Sequence, residues 1–288
     1  MKSNTRQHFV PQFYLREWSD LDEKIWKYGV TGAAPIHISI DNVAFERGLY
    51  SHPAADKVPR LKTEKFFAAE IENGYAEVWP GIIDRAEDLA TRKNLARFIA
   101  LMILRHPQEK QTVQLVNEML HETVAGLSPD MAVEFVNDGK STKMRVDEIL
   151  KLASDDKDAI QSRFLKDMPQ LVMHGAETLV KRRWGVVVSD APVFPTSDCP
   201  VVLCRGTSHQ RNLGYGTPGT QILFPFCPTR LLVIDDSWPH NFGHYKLPQP
   251  EVFNQHIANG AVRFVYSHTQ DVGLSAKIRD WRNALSKV

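Results

Sequence analysis

The chain has 288 residues, of which 43% are hydrophobic and 24% are charged, as in ordinary globular proteins. Its 35 basic and 34 acidic residues leave a formal charge of +1, so no overall field steers it to nucleic acid, while a local basic patch is compatible with this balance. No apolar run approaches the roughly 20 residues of a membrane span, and the first residues lack the apolar run of a signal peptide.

The three cysteines, Cys199, Cys204 and Cys227, are an odd number and have no C-x-x-C spacing. This pattern indicates reduced thiols rather than a disulfide framework. We therefore expect a cytoplasmic protein with no membrane partner, and we leave its oligomeric state open.

The first predicted element is a short aromatic helix in the segment "HFVPQFYLREW", which begins at His8. Pro11 suits the first turn of a helix, where its missing N–H costs nothing. A helix from Pro11 to about Trp18 places Tyr14, Leu15 and Trp18 on one face, which we expect to be buried. His8 precedes the positive end of this helix, a position that favours an anion or a carboxylate.

Residues 24–50 show the period of strands. "KIWKYGV" and "IHISIDNVAF" alternate apolar and polar side chains, and the turn at Thr31–Gly32 between them predicts a hairpin.

Residues 59–183 show the period of helices. Thr91 is the expected N-cap of one helix and Pro107 its end. "SPDMAVEFVND" predicts a helix with Ser128 as N-cap, followed by helices in "STKMRVDEILKLAS" and in a long segment that Pro169 kinks or divides.

After Trp184 the period returns to that of strands, in "WGVVVSD", "PVVLC", "TQILFPF", "RLLVIDD" and "AVRFVYS", with two further short helices. The order predicts an α+β fold with a mixed or antiparallel sheet that draws strands from both termini. Residues 1–58 supply the first helix and hairpin, 59–183 a helical region, and 184–288 a β-rich region that completes the same domain.

Several segments resemble a bacterial family called domain of unknown function 4238. The opening resembles its H-[YF]-[VI]-P-Q-x-[YL]-L-R-x-[FW] segment, with His8, Gln12 and Arg16 at matching positions. The others, in the same order, are "KIWKYGV", "FIALMILRHP" with Arg105, "PTSDCPVVL", "FPFCPTRLLVI" and "FNQHIANGAVRFVYS". The resemblance covers nearly the whole chain and implies no activity. Where the family often has Asn, this chain has Cys199, which makes that thiol a poor candidate nucleophile.

The sharpest polar cluster is "PTSDCP", with Ser197 and Asp198 between apolar strands. One interpretation is an Asx or ST turn, in which these side chains bind backbone N–H groups. The other places Asp198 beside His8, where it orients the imidazole and raises its pKa. A serine hydrolase is disfavoured because the segment has no glycine-flanked elbow.

Arg105 follows an apolar helix, where the helix dipole alone favours a cation, or else it binds a phosphate or carboxylate through both guanidinium nitrogens. We predict no cofactor and no metal. A divalent metal bound by Glu72, Asp198 and His8 is a less favoured alternative because the sequence has no close-spaced signature such as H-E-x-x-H.

Two basic stretches, "KRRW" from Lys181 and "RGTSHQR" from Arg205, are candidates for phosphate contacts, although solvated charges are the commoner cause. The glycine-rich stretch "NLGYGTPG" matches neither a P-loop nor a dinucleotide fingerprint.

The leading hypothesis is a hydrolase or transferase acting on a phosphate-bearing substrate, either a nucleotide or a nucleic acid. In it His8 is the general acid or base, Asp198 orients it, and Arg105, Gln12 and Ser197 bind the substrate. One alternative is a non-catalytic protein whose polar cluster binds a ligand or partner. Another is that the cluster only braces the N-terminus against the sheet, so whether the protein is an enzyme stays open.

Overall fold

The computed structural model describes residues 6–47, 49, 75, 77–79, 81–137, 140–153, 156–206 and 214–285. The α-helices of these residues are α1 (Gln12–Leu15), α2 (Leu89–Leu104), α3 (Pro107–Val124), α4 (Val146–Leu152), α5 (Lys157–Val180), α6 (Phe253–Gly260) and α7 (Leu274–Leu285). The first six strands are β1 (Arg6–His8), β2 (Lys24–Gly29), β3 (Ile36–Ser39), β4 (Phe45–Arg47), β5 (Ala132–Asn137) and β6 (Lys140–Arg145). The others are β7 (Trp184–Val188), β8 (Thr196–Ser197), β9 (Val202–Cys204), β10 (Gln221–Cys227), β11 (Arg230–Ile234), β12 (Phe242–Tyr245) and β13 (Phe264–Ser267).

Two larger sheets organise the β structure. A five-stranded sheet has the order β12-β7-β11-β10-β9, with β12 parallel to β7 and the other pairs antiparallel. A four-stranded antiparallel sheet has the order β3-β2-β13-β8 and so joins the two ends of the chain. This sheet confirms the predicted α+β fold with strands from both termini. The division at residues 58 and 183 stays a prediction.

The predicted aromatic helix at the N-terminus is confirmed. It consists of α1 and a 3₁₀ turn that follows at once, Arg16–Trp18. The Tyr14 hydroxyl donates to the carbonyl of Pro225 at 2.7 Å and lies 2.7 Å from the Thr196 hydroxyl oxygen. The Trp18 indole N–H donates to the carbonyl of Phe194 at 2.8 Å. Both rings are fully buried, so apolar burial and satisfied polar tips together fix the N-terminal segment on both sheets.

The predicted hairpin between β2 and β3 is also confirmed, and Gly32 in its turn adopts a φ of +83°. Part of the helical region is different from the prediction. The helix expected from Ser128 is instead a hairpin of β5 and β6, because Val133 and Phe135 lie on one face of β5, on either side of the exposed Glu134. These two side chains pack beside Val124 and Val146, and that contact overrides the capping signal of Ser128.

The predicted N-cap of α2, Thr91, was wrong, whereas the predicted end of this helix before Pro107 is confirmed. Helix α2 begins at Leu89 because the Asp88 carboxylate accepts from the N–H of Thr91 at 2.8 Å. Pro107 begins α3 rather than only ending α2, since the His106 ring nitrogen Nδ1 accepts from the N–H of Gln108 at 3.2 Å and caps the new helix. Helix α5 continues unbroken past Pro169, so this proline does not divide it.

The helix predicted from Pro59, including Glu72, lies largely outside the described residues. Within the described part of the chain, no helix has the length and hydropathy needed to cross a membrane.

Candidate functional site

His8 lies at the end of β1, opposite Phe45 on β4, and the two rings are 5.8 Å apart. The Arg105 guanidinium donates to the backbone carbonyl of His8. The His8 ring nitrogen Nε2 is buried and has no hydrogen-bond partner of normal geometry among the described residues, although the backbone of Asp41 is near. Burial lowers the pKa of His8. The backbone and the charge of Asp41 oppose this shift, as does the backbone of Ile40, while the Arg105 charge adds to it. The imidazole is therefore neutral at pH 7.

The carboxylate next to His8 is Asp41, in the 3₁₀ turn that follows β3. The Gln12 side-chain amide donates to this Asp41 carboxylate. The predicted pairing of Asp198 with His8 is not seen among the contacts of either residue. Gln12 thus ties helix α1 to Asp41, and its predicted role in substrate binding stays a prediction.

The Asp198 carboxylate is 1% exposed and accepts three backbone N–H groups. Its Oδ1 accepts from Val262 at 2.9 Å, and its Oδ2 accepts from Arg263 at 2.8 Å and from Phe264 at 3.2 Å. Burial raises the pKa of Asp198 and these three donors oppose the rise. The carboxylate therefore fixes the turn that leads from α6 into β13.

Ser197 forms the ST turn that was one of its two interpretations. Its hydroxyl donates to the carbonyl of Cys199 at 2.8 Å and accepts from the N–H of Cys199 at 3.1 Å. The side chain is buried. Burial raises the pKa of the Cys199 thiol to about 12, so this thiol stays protonated and is a weak nucleophile.

Arg105 is 6% exposed and is the residue that follows the last turn of α2. Its contact with the His8 carbonyl joins α2 to β1. The predicted binding of a phosphate by Arg105 stays a prediction, whereas the contact shows that this guanidinium holds the backbone beside the imidazole.

A small cavity lies between the β1–β4 pair and the four-stranded sheet, and we call it the Arg263 pocket. Its volume is about 130 Å³. Phe9, Asn42 and Phe45 line it from one side, and Lys27, Arg263 and Tyr266 line it from the sheet, together with Asp198. The segment of His8 and the segment of Asp198 thus meet at this cavity through Phe9.

Sheet register places the polar groups of the Arg263 pocket. Lys27 on β2 is directly opposite Tyr266 on β13, and Tyr266 is opposite Thr196 on β8. Arg263 immediately precedes β13, in the turn whose N–H groups bind Asp198. The buried carboxylate therefore sets the backbone from which the Arg263 side chain extends.

Neither cation of the pocket forms a close ion pair with another described residue, although the Asp198 carboxylate is near enough to Arg263 to interact with its charge. Within the described part of the chain, neither Lys27 nor Arg263 forms an ion pair within 4.0 Å or a side-chain hydrogen bond. The Lys27 ammonium lies 4.6 Å from the centre of the Phe264 ring, and the Arg263 guanidinium 6.0 Å from it. Two cationic side chains, Lys27 and Arg263, and one carboxylate, Asp198, line the pocket, so the charge of its described lining is positive.

Tyr266 adds an uncommitted hydroxyl. This side chain is fully buried, and among the described residues its hydroxyl has no hydrogen-bond partner of normal geometry, although the backbone of Ala44 is near. Burial raises the pKa of Tyr266, so the hydroxyl stays protonated and can donate. A buried polar group without a partner costs free energy.

A larger cleft, of about 520 Å³, lies among α3, α4 and α5 and is lined mainly by apolar side chains. Its cations are engaged within the protein. The Arg163 guanidinium donates to the backbone carbonyl of Lys151, and the Lys151 ammonium pairs with Asp147 at 3.3 Å. This cleft is larger than the Arg263 pocket, but its described cations already have partners within the protein. We therefore regard the Arg263 pocket as the better candidate for an anion site.

No group of three or more His, Cys, Asp or Glu side chains arranged to bind a metal occurs among the residues that the structure describes. The predicted alternative with Glu72 lies outside those residues.

Sequence reasoning missed Asp41, Lys27, Arg263 and Tyr266 as site residues. Strand alternation placed Asp41 on the polar face of its segment and marked Tyr266 as part of a strand, but it carried no information on which strands pair. Residues 27 and 266 become neighbours only through the pairing of β2 with β13.

The comparisons with known proteins identify a family and no activity. A family profile described as "Protein of unknown function (DUF4238)" matches residues 6–271. Neither a curated protein nor a solved structure matches the chain. The match covers most of the chain, which therefore belongs to this family.

Proposed function

We propose that this DUF4238 protein binds a small phosphate-bearing molecule, with the phosphate group in the Arg263 pocket. The observation that carries the proposal is the convergence of two unpaired cations, Lys27 and Arg263, with the unpartnered hydroxyl of Tyr266. An arginine binds two phosphate oxygens at once, and a lysine adds a point charge. A phosphate group would accept hydrogen bonds from all three of these side chains.

The size of the pocket limits what it encloses. Its volume of about 130 Å³ is below the ~300–1,000 Å³ of sites that enclose a drug-sized ligand. It therefore holds a phosphate group, and the rest of the molecule lies outside, on the side of Asn42 and Arg6. The Arg6 guanidinium donates to the Asn42 side chain at 3.0 Å, which adds a third positive charge near the rim.

Calorimetric titration tests the proposal. Inorganic phosphate and a nucleoside monophosphate are titrated into the wild type and into Arg263→Gln, which keeps the backbone N–H that binds Asp198. Loss of a charge-assisted contact weakens binding by about 10–100-fold. The control is Arg279→Gln, the same change at an exposed arginine of α7; it should bind as the wild type does. Equal affinity of Arg263→Gln and the wild type, or no binding of either phosphate compound, would contradict the proposal.

A second candidate function is hydrolysis or transfer of the bound phosphate group, with His8 as the proton acceptor. The observation that favours it is the neutral imidazole with an unpartnered Nε2, held against Phe45, which itself lines the pocket. A neutral imidazole can accept a proton from water or a substrate hydroxyl. Asp41, rather than Asp198, is the carboxylate that acts on it.

Turnover of a panel of nucleotides and oligonucleotides, with and without Mg²⁺, tests this second function. The wild type should release product, and His8→Ala should lose at least 100-fold in rate while binding phosphate as before. If the wild type binds phosphate and turns over nothing, the protein is a binding protein and this second function is wrong.

A further inference from the structure

A groove between α2 and α5 has a basic rim and an apolar floor. Its volume is about 330 Å³. Lys93 and Arg97 line it from α2, four residues apart and so on one helix face. Met173, Ala176 and Val180 line it from α5 at spacings of three and four, and Lys181 follows at the end of that helix.

The cations of the groove are available to a ligand. Lys93 and Lys181 are exposed, and within the described ranges neither forms an ion pair or a side-chain hydrogen bond. Arg97 donates to the side chain of Asn94 at 3.2 Å and forms no ion pair with an acidic side chain of the described residues. The one acidic lining residue is Glu177, so three positive charges face one negative charge.

The basic residues of the stretch "KRRW" have different roles, and only one of them lines this groove. Arg182 is buried and pairs with Asp236 at 3.0 Å, and its guanidinium also donates to the Thr220 carbonyl. Arg183 donates to the carbonyl of Trp238. These two arginines therefore make contacts within the protein, and Lys181 is the residue of this stretch that lines the groove.

We infer that this groove binds a single-chain aliphatic anion, an acyl chain with a carboxylate or phosphate head. The floor is made of aliphatic and thioether groups, which suit a flexible chain, and Met is adaptable to such shapes. The described lining contains no aromatic ring on which a base would stack, which disfavours a single-stranded nucleic acid. The positive rim complements one negative head group at the end of the chain.

Titration calorimetry with dodecanoate, below the concentration at which it forms micelles, tests the inference. The test variant is Lys93→Gln with Lys181→Gln; both side chains are exposed, so the fold is preserved. We expect about tenfold weaker binding of dodecanoate. The control, Lys157→Gln with Lys166→Gln, changes two exposed lysines of the same helix α5 outside the groove and should stay within about twofold of the wild type.

Two further probes separate the alternatives. Dodecanol, which has the chain without the charge, should bind the wild type at least about tenfold more weakly than dodecanoate. An oligonucleotide should not displace dodecanoate. Equal binding of dodecanoate by the groove variant and the wild type, no binding at all, equal binding of dodecanol, or displacement by the oligonucleotide would overturn the inference. Arg263→Gln should bind dodecanoate normally, so failure here is distinct from failure of the Arg263 pocket.

Discussion

Replacing Asp198 by Asn tests whether this carboxylate holds the turn that carries Arg263. The two oxygens accept N–H groups from Val262, Arg263 and Phe264. An asparagine keeps one oxygen, which can remain with Arg263 and Phe264, but its NH₂ group then faces the N–H of Val262. One buried donor is left without an acceptor, at a cost of about 1–3 kcal/mol.

The two bonds that remain also lose the charge of the acceptor, whereas the cost of burying that charge disappears. We therefore expect Asp198→Asn to lower the free energy of unfolding by about 2–3 kcal/mol. Asp198→Ala leaves three N–H groups unpaired and should lower it by about 4 kcal/mol or more, at the upper end for single substitutions.

Urea unfolding at pH 7 measures both changes. The control is Asp22→Asn, at a carboxylate that is 78% exposed, and its effect should be within about 0.5 kcal/mol. If Asp198→Asn is as stable as the wild type within the same limit, the three contacts do not stabilise the turn and the reasoning is refuted.

Three other predictions concern single positions. Burial and the nearby Arg263 charge lower the pKa of His106 from 6.5 to about 4; between these values the unfolded chain binds more protons, so stability falls as the pH falls. His106→Asn keeps an N-cap and should reduce the difference in unfolding free energy between pH 7 and pH 4.5 by about 2 kcal/mol; an unchanged difference in urea unfolding would contradict this. Gly185→Ala places a Cβ atom 2.3 Å from the Trp238 indole and should destabilise by about 1–3 kcal/mol, whereas Gly81→Ala, with its nearest neighbour at 3.7 Å, should have little effect; equal melting temperatures of the two variants would argue against the packing. Tyr14→Phe leaves the Pro225 carbonyl without its donor and should cost about 1–3 kcal/mol in urea unfolding, and a neutral result would show that this contact is weak.

The fold was predictable where one periodicity extended over a whole element. The alternation in "KIWKYG" and "IHIS" predicted β2 and β3, and the apolar stripe in "TRKNLARFIALMILRHP" predicted α2 apart from its first residues. The hairpin of β5 and β6 was missed because Ser128 and Pro129 form a helix-start signal, and the alternation of Val133 and Phe135 follows directly after it. Local signals compete at such places, and packing against Val124 and Val146 decides between them.

For the candidate site, the sequence predicted only that the N-terminal helix lies close to the segment of Asp198. Tyr14 of the first helix does contact Thr196, two residues before Asp198, as the proposed approach of the two segments requires. Which side chains face one another depends on strand register and on backbone donors. The backbone N–H groups of residues 262–264 donate to the Asp198 carboxylate. Such contacts cannot be predicted from side-chain types, because every residue except proline has a backbone N–H group.

The central claim is that a phosphate group binds between Lys27, Arg263 and Tyr266. A crystal of the protein soaked with selenate, a tetrahedral phosphate analogue, tests it most directly because anomalous scattering locates the selenium atom. We expect a selenium peak about 4 Å from the Arg263 guanidinium of the wild type, as N–H···O bonds to an oxyanion require. Crystals of Arg263→Gln should show no such peak. Selenium peaks elsewhere on the protein, with none in the Arg263 pocket of the wild type, would contradict it.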